Sequence, residues 1–234
     1  MPKLNKRMKK ISKNIKFSNK YKIKNALIIL KKISTVDFIE SVDVSIKLGI
    51  NYNNNDQNVI GNTILPYGTG RKNIIAVFAK DKDAYDAKLN GADIVGMESL
   101  YKKIKNGYKN INIIIAYKYS MNIVNKLINI LGPRGLMPNY KFGTITNNII
   151  KSLKNFKKGQ INYKSDKYGV INTTFGKINF SNKKLIKNLK NLILSIIKNK
   201  PVTSKGNYIT TIKISTTMGI GLLIDKNSLF DKLI

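Results

Sequence analysis

Residues 73–131 read NIIAVFAKDKDAYDAKLNGADIVGMESLYKKIKNGYKNINIIIAYKYSMNIVNKLINIL. Asn73–Ala79 is a continuous apolar run, the mark of a strand buried on both faces. Asp81–Asn90 reads as a helix stopped by Gly91, Ile94–Val95 is a short apolar piece, and Glu98–Lys105 is helical. Ile111–Tyr117 is a second buried run and Met121–Leu131 is helical again. Strand and helix in alternation predict a parallel sheet with helices on its faces.

The sequence on either side has another style. Val42, Val44, Ile46 and Leu48 alternate with Asp43, Ser45 and Lys47, the period of a half-buried strand. Asn-rich residues 51–58 read as a loop, and Asn62–Leu65 as a second short strand before Pro66. After the loop Gly132–Thr146, a helix at about 147–157 precedes the strands Gln160–Lys164 and Val170–Phe175, with Asp166–Gly169 placed to join them as a tight hairpin. Ser181 is placed to cap a helix running to about Asn199, on which Leu185, Leu189, Leu192, Ile193 and Ile196 share one face and which Pro201 ends. Tyr208, Thr210, Ile212 and Ile214 begin a last strand, which bends at Gly219–Gly221 and returns over Gly221–Ile224. The fold class is therefore α/β combined with α+β. An α+β domain built from both chain ends, residues 1–67 plus 159–234, is interrupted by an α/β domain over residues 68–158, with crossings near Pro66–Gly70 and Lys158–Gln160.

The chain has 234 residues and is 42% hydrophobic, enough for a sizeable core. Its 43 Lys and Arg face only 12 Asp and Glu, a formal net charge of +31 that suits a polyanionic partner. Part of that excess has another origin. Arg occurs only at positions 7, 71 and 134, and Lys, Asn and Ile, the residues of A- and T-rich codons, crowd the chain, as an AT-biased genome would produce. A reduced endosymbiont fits that bias, with an organelle as the alternative. Residues 1–32 carry twelve basic side chains and no acid, which reads either as a transit peptide or as a helix laid on RNA, with Leu4, Met8, Ile11 and Ile15 forming one apolar stripe. Cys, His and Trp are absent, which excludes thiol nucleophiles, imidazole bases, disulfides and Cys/His zinc sites. No apolar run approaches the roughly 20 residues of a membrane span.

Several motifs carry two readings. Gly132-Pro133-Arg134-Gly135-Leu136-Met137-Pro138-Asn139 packs two Gly, two Pro and one of the three Arg into a rigid loop, either a ligand contact or a structural turn. Ser215-Thr216-Thr217-Met218-Gly219 ends a strand with hydroxyls and a Gly, which suits RNA 2′-OH and shape readout or else a β-bend. Phe38 and Tyr163 read as RNA-stacking rings or as core. Gly68-Thr69-Gly70-Arg71 lacks phosphate-loop spacing and reads as a turn between domains, and Asp81, Asp83 and Asp86 read as acids offsetting a helix dipole rather than as a metal cluster.

At these motifs the chain resembles a known family. LGPRGLMPN followed by Lys141, Gly143-Thr144 and Thr146 is similar to the signature of the L-one family of bacterial large-subunit ribosomal proteins. The likeness continues through MPKLNKRMKK, FIESVDVSIKLGI, DQNV with Gly61, LPYGTGR, Gly91-Ala92-Asp93, Val95-Gly96-Met97-Glu98, Gly159-Gln160, Asp166-Lys167 with Gly169, Lys200-Pro201, Lys205-Gly206 and STTMG. Because it begins at Met1, it favours the RNA reading of the amino terminus over the transit peptide. The resemblance implies a terminal-half domain that grips large-subunit rRNA and an inserted Rossmann-like domain that binds no nucleotide. Its RNA-facing set falls on Phe38, Glu40, Lys164, Asp166, Lys167, Gly169, Lys205, Gly206, Thr216, Thr217, Met218 and Gly219, with Gly132, Pro133, Arg134 and Gly135 as a contact loop of the second domain. Thr217 is expected at the surface with its hydroxyl toward RNA. Two positions depart from the family pattern: Asp37 stands where a basic residue usually precedes the Phe, and Ile60 where Arg usually follows DQNV.

The resemblance implies a structural protein of the large ribosomal subunit, without catalysis, cofactor or metal, acting as a monomer within the cytoplasmic ribosome and away from membranes. Its implied partners are large-subunit rRNA, exit-site tRNA at a mobile stalk, and its own mRNA as a repressor. A free RNA-binding regulator shares every motif and is the alternative; a metal-dependent nucleic-acid enzyme is disfavoured because the scattered acids form no convincing set.

Overall fold

The structure, a computed structural model, describes residues 7, 9, 11, 19–51, 57–204 and 206–230. They fall into two compact units. The first holds the described residues up to Ile60, Leu65–Thr69 and the described residues from Tyr163 onward; the second holds Gly61–Ile64 and Gly70–Asn162. The chain thus changes unit within β2 (Ile60–Ile64) and β6 (Gln160–Lys164), which pair as a two-stranded ribbon, as well as at Thr69–Gly70. The apolar stripe expected at the amino terminus lies outside the described residues, except for Ile11.

In the second unit β3 (Ile75–Phe78), β4 (Ile94–Val95) and β5 (Ile113–Ala116) form a parallel sheet in the order β4-β3-β5. The two helices that follow β3 and β4 are α2 (Asp81–Leu89) and α3 (Glu98–Lys105). All four residues of β3 are buried because it is the middle strand with both faces covered. Ala76 and Phe78 pack with Leu100, Ile104 and Leu127 on one face, while Ile75 and Val77 pack with Ala87, Leu153 and Phe156 on the other. The helix expected over Met121–Leu131 is broken. A 3-10 turn at Lys118–Ser120 leads into α4 (Met121–Asn125), and α5 (Ile128–Leu131) is separate. Between them Lys126 and Leu127 donate to the carbonyls three residues back, Ile123 and Val124, at 3.2 and 2.9 Å. Asn122 and Asn125 are poor helix formers, so little opposes that tightening. The helix α6 (Ile149–Lys157) is capped by Asn148, whose side chain accepts from the Lys151 N–H at 3.1 Å.

The first unit is an antiparallel sheet in the order β7-β1-β8-β9, formed by β1 (Ser41–Leu48), β7 (Val170–Lys177), β8 (Ile209–Thr216) and β9 (Leu222–Ile224). Two helices, α1 (Ile23–Ile33) and α7 (Asn182–Lys198), pack on it and on each other. The alternation read from Val42 to Leu48 is the burial pattern observed, and the five apolar residues of α7 are all buried. Two local expectations differ. Asp166–Gly169 does make a tight turn, yet β6 pairs with β2 and β7 with β1, so the two strands it joins share only the bridge Ser165↔Ile171. Strand partners are set by long-range packing, which a turn alone does not specify. The last strand begins at Ile209, and a register shift opposite Lys47/Leu48 leaves Tyr208 and Ile209 both buried while Thr210 is exposed.

Candidate nucleic-acid interface

Because β1 is antiparallel to both neighbours, its first residues meet the last residues of β7 and β8: Ser41 faces Lys177, and Val42 faces Thr216. The segments Phe38–Ser41 and Thr216–Gly219 therefore lie at one edge of the sheet. Glu40 is fully buried, and its Oε1 accepts the Met218 N–H at 2.8 Å. Its Oε2 is buried without a partner. The Ser41 N–H donates to Thr217 Oγ1 at 3.0 Å, and the Thr217 N–H donates to the Ser41 carbonyl at 3.2 Å. Lys177 Nζ closes the corner by donating to Ser41 Oγ at 3.0 Å and to the Ile39 carbonyl at 3.3 Å. A side chain at Gly219 would collide with the Thr216 hydroxyl, itself buried without a partner.

This lattice fixes a turn that projects Phe38 and Met218, 53% and 51% exposed, with Thr217 exposed on the same edge. Glu40 and Thr216, carried over as RNA-facing, point inward in the free protein: a carboxylate that holds a backbone N–H must lie beneath that backbone, and Thr216 occupies an inward position of β8. The two aromatic candidates divide. Phe38 is exposed; Tyr163 is core, its hydroxyl 2.9 Å from Ser195 Oγ and accepting from Asn199 Nδ2 at 2.8 Å.

The remaining candidates do not join that edge. Asp166, Lys167 and Gly169 sit beside Val170, which pairs with Lys47 at the far end of β1, about 23 Å away at roughly 3.3 Å per residue. There Asp166 Oδ1 is occupied by the N–H groups of Tyr168 and Val170 at 2.9 and 2.8 Å, so it builds the turn. Gly169 is buried with φ +71, and its carbonyl accepts the Leu48 N–H at 2.8 Å. Lys164 and Lys167 are exposed, as is Gly206 with φ +75; Lys205 lies outside the described residues. The candidate set is thus two clusters at opposite ends of one sheet. Asp37 is exposed beside Phe38, and Ile60 is half-buried at the start of β2.

In the second unit the loop Gly132–Gly135 is exposed, closed by the Gly135 N–H on the Gly132 carbonyl at 2.9 Å. Arg134 Nη1 donates to the Tyr108 carbonyl at 3.4 Å, while Leu136 and Met137 pack on the core. Asp83 accepts the Tyr119 hydroxyl at 3.1 Å. Burial, then the charge of Asp83, raises the Tyr117 pKa above the ordinary tyrosine value. No helix among the described residues is long and apolar enough to cross a membrane.

Sequence reasoning missed Asn188, which sits fully buried on the apolar face of α7. Its Nδ2 donates to the carbonyls of Gly68 and Phe175, both at 2.9 Å, and its Oδ1 accepts the Tyr67 N–H at 3.1 Å. The signal was an amide among Leu185, Leu189 and Leu192. The turn at Gly68–Gly70, with φ +63 and +71, is thereby tied to the helix through the Gly68 carbonyl.

An edge that presents the Thr217 hydroxyl with the exposed Phe38 and Met218 on a braced turn is built to hold a fixed shape, which suits recognition of RNA by shape and 2′-hydroxyls. The comparisons with known proteins make that specific. The Ribosomal protein L1p/L10e family matches residues 30–220, and the chain belongs to it. It is 46% identical over 229 residues to the large ribosomal subunit protein uL1 of Vibrio vulnificus strain YJ016, covering 98% of each chain. It is 48% identical over 229 residues to the protein of that name from Pasteurella multocida strain Pm70, covering 98% of this chain and 100% of the other.

Proposed function

We propose that the protein is a component of the large ribosomal subunit that grips rRNA with its first unit and forms the mobile stalk at the exit site. The observation that carries this reading is the Glu40–Met218 lattice, which presents Phe38, Thr217 and Met218 on one fixed edge. A rigid edge lets an RNA helix be recognised by shape and 2′-hydroxyls, while exposed lysines supply the sequence-independent attraction. The second cluster at Lys164, Lys167 and Gly206, about 23 Å along the strands, suits an RNA segment that runs the length of the sheet. The loop Gly132–Gly135 of the inserted unit, residues 68–158 by the sequence reading, would touch exit-site tRNA and assist its release. Binding of an rRNA-like fold in its own mRNA would make the protein a repressor. Full-length bacterial relatives support a cytoplasmic ribosome as its location.

The test is sedimentation of native ribosomes through a high-salt wash. Retention on large subunits, with large-subunit rRNA as the copurifying nucleic acid, is the expected result. Recovery of the whole pool as free protein on other RNAs would replace this reading with that of a free regulator.

A further inference from the structure

From the inserted unit's geometry we infer a second RNA-binding site, a groove at Lys103–Tyr108 that receives a nucleotide turned out of its stack. The groove has a volume of about 450 Å³ and is lined by Ile94, Lys103, Asn106, Gly107 and Tyr108. It opens where α3 ends and the chain turns back toward β5. Gly107 has φ +86, and the space where its side chain would stand is empty, so the backbone itself lines an open floor. Tyr108 is 38% exposed.

The chemistry of the walls selects the occupant. Lys103 is exposed in the last turn of α3, where Lys102 and Lys105 already offset the helix dipole. Arg134 reaches the same segment, its Nη1 donating to the Tyr108 carbonyl at 3.4 Å, which brings one of the chain's three guanidinium groups to the Tyr108 backbone. Among the described residues, none that lines the groove is acidic. A partly exposed aromatic side chain in a groove that Lys103 and Asn106 also line, with Arg134 on the adjoining backbone, suits one nucleotide: the base stacks on Tyr108, and Lys103 and Arg134 meet the flanking phosphates. A helical duplex has no exposed base face to offer that ring, so the partner is an RNA loop. The inference rests on the proposed contact between Gly132–Gly135 and tRNA, and extends it to residues the sequence did not single out.

The experiment uses the full chain, an unmodified elongator tRNA transcript and, separately, a large-subunit rRNA fragment, with affinity measured by filter binding across a salt series. Tyr108→Leu should weaken tRNA binding about tenfold, the size of one lost stacking contact, while Tyr108→Phe retains it. Lys103→Gln should weaken tRNA binding and lower the salt slope by roughly 0.7–0.9. Affinity for the rRNA fragment should stay within about twofold for all three, since that site lies on the other unit. The melting temperature of Tyr108→Leu is recorded to detect any disturbance of the fold, and Lys103→Gln carries the test alone if it falls. Weakening by Arg134→Gln with no effect of either groove variant overturns the groove and leaves the loop contact standing. No effect of any of the variants, or no tRNA binding by the wild type below about 100 µM, overturns both.

Discussion

The Glu40 carboxylate holds the Met218 N–H at 2.8 Å from 178 residues away in sequence, and the two residues face opposite ways: Glu40 is buried and Met218 is half exposed. The acid is thus the underside of the turn proposed to meet RNA. Glu40→Ala removes a charge-assisted hydrogen bond and leaves the part-buried Met218 N–H without its partner, which should destabilise the protein by about 1.5–3 kcal/mol. Glu40→Gln keeps an acceptor at Oε1 and should lose about 1 kcal/mol. Urea denaturation of the three proteins, with rRNA-fragment affinity measured on each, checks this. Equal stability of Glu40→Ala and wild type would show that the turn stands without its carboxylate.

Asn188 makes a parallel prediction for the chain crossing. Its amide satisfies three backbone groups, on Tyr67, Gly68 and Phe175. Asn188→Leu keeps the volume and suits the apolar face of α7, so an argument from helix patterning alone predicts stabilisation. The structure predicts the reverse, a loss of about 2–4 kcal/mol, because buried backbone groups lose their partners. Chemical denaturation decides the sign.

These two residues mark where sequence legibility ended. Strand and helix periodicity is local, so the buried run Ile75–Phe78, the alternation Val42–Leu48 and the apolar face Leu185–Ile196 were all readable. Motif likeness named Phe38, Thr217 and Met218 within a longer set, and the strand register brings these three to one edge. Burial of Glu40 and the triple role of Asn188 were not readable, because a polar residue type implies solvent, and the partners that permit burial lie far along the chain. The same applies to the divergence of β6 from β7, where the Asp166–Gly169 turn is local but the choice of partner strand is not.

Tyr208 predicts a pH effect. Burial, with Tyr163 nearby as a lesser cause, pushes its pKa from 10.0 up to about 12, and its hydroxyl is buried without a partner. The folded state therefore holds the phenolic proton more tightly than the unfolded chain does. Stability from this difference is complete below pH about 10 and is lost as pH rises toward about 12. Tyr208→Phe removes both the unpaired hydroxyl and the titration. The variant should be more stable than wild type by about 1 kcal/mol at pH 8, and its advantage should widen by pH 11.5. Taking the difference between the two proteins cancels the titration of the many lysines they share. Urea midpoints at both pH values measure it, and a constant difference would mean that Tyr208 ionises as easily folded as unfolded.

Thr217 belongs both to the lattice and to the proposed RNA contact. The sequence placed its hydroxyl toward a ligand, with little part in stability. In the structure Oγ1 accepts the Ser41 N–H at 3.0 Å and lies 3.5 Å from the Ser41 carbonyl. One lone pair of that oxygen is committed to Ser41, and the side chain remains exposed, so an RNA 2′-hydroxyl can still donate to the other. Thr217→Val keeps the β-branched shape and removes both functions. Because water can reach Ser41, the stability loss should be modest, about 0.5–1 kcal/mol, whereas rRNA affinity should fall by about 1–3 kcal/mol as a dry polar contact is left unpaired. Thr217→Ser, which keeps the oxygen, should restore most of the affinity. Melting temperature and rRNA-fragment affinity measured together separate the outcomes. A loss of affinity no larger than the loss of stability, or a Ser variant as weak as the Val variant, would make Thr217 a brace for Ser41 and remove it from the RNA contact.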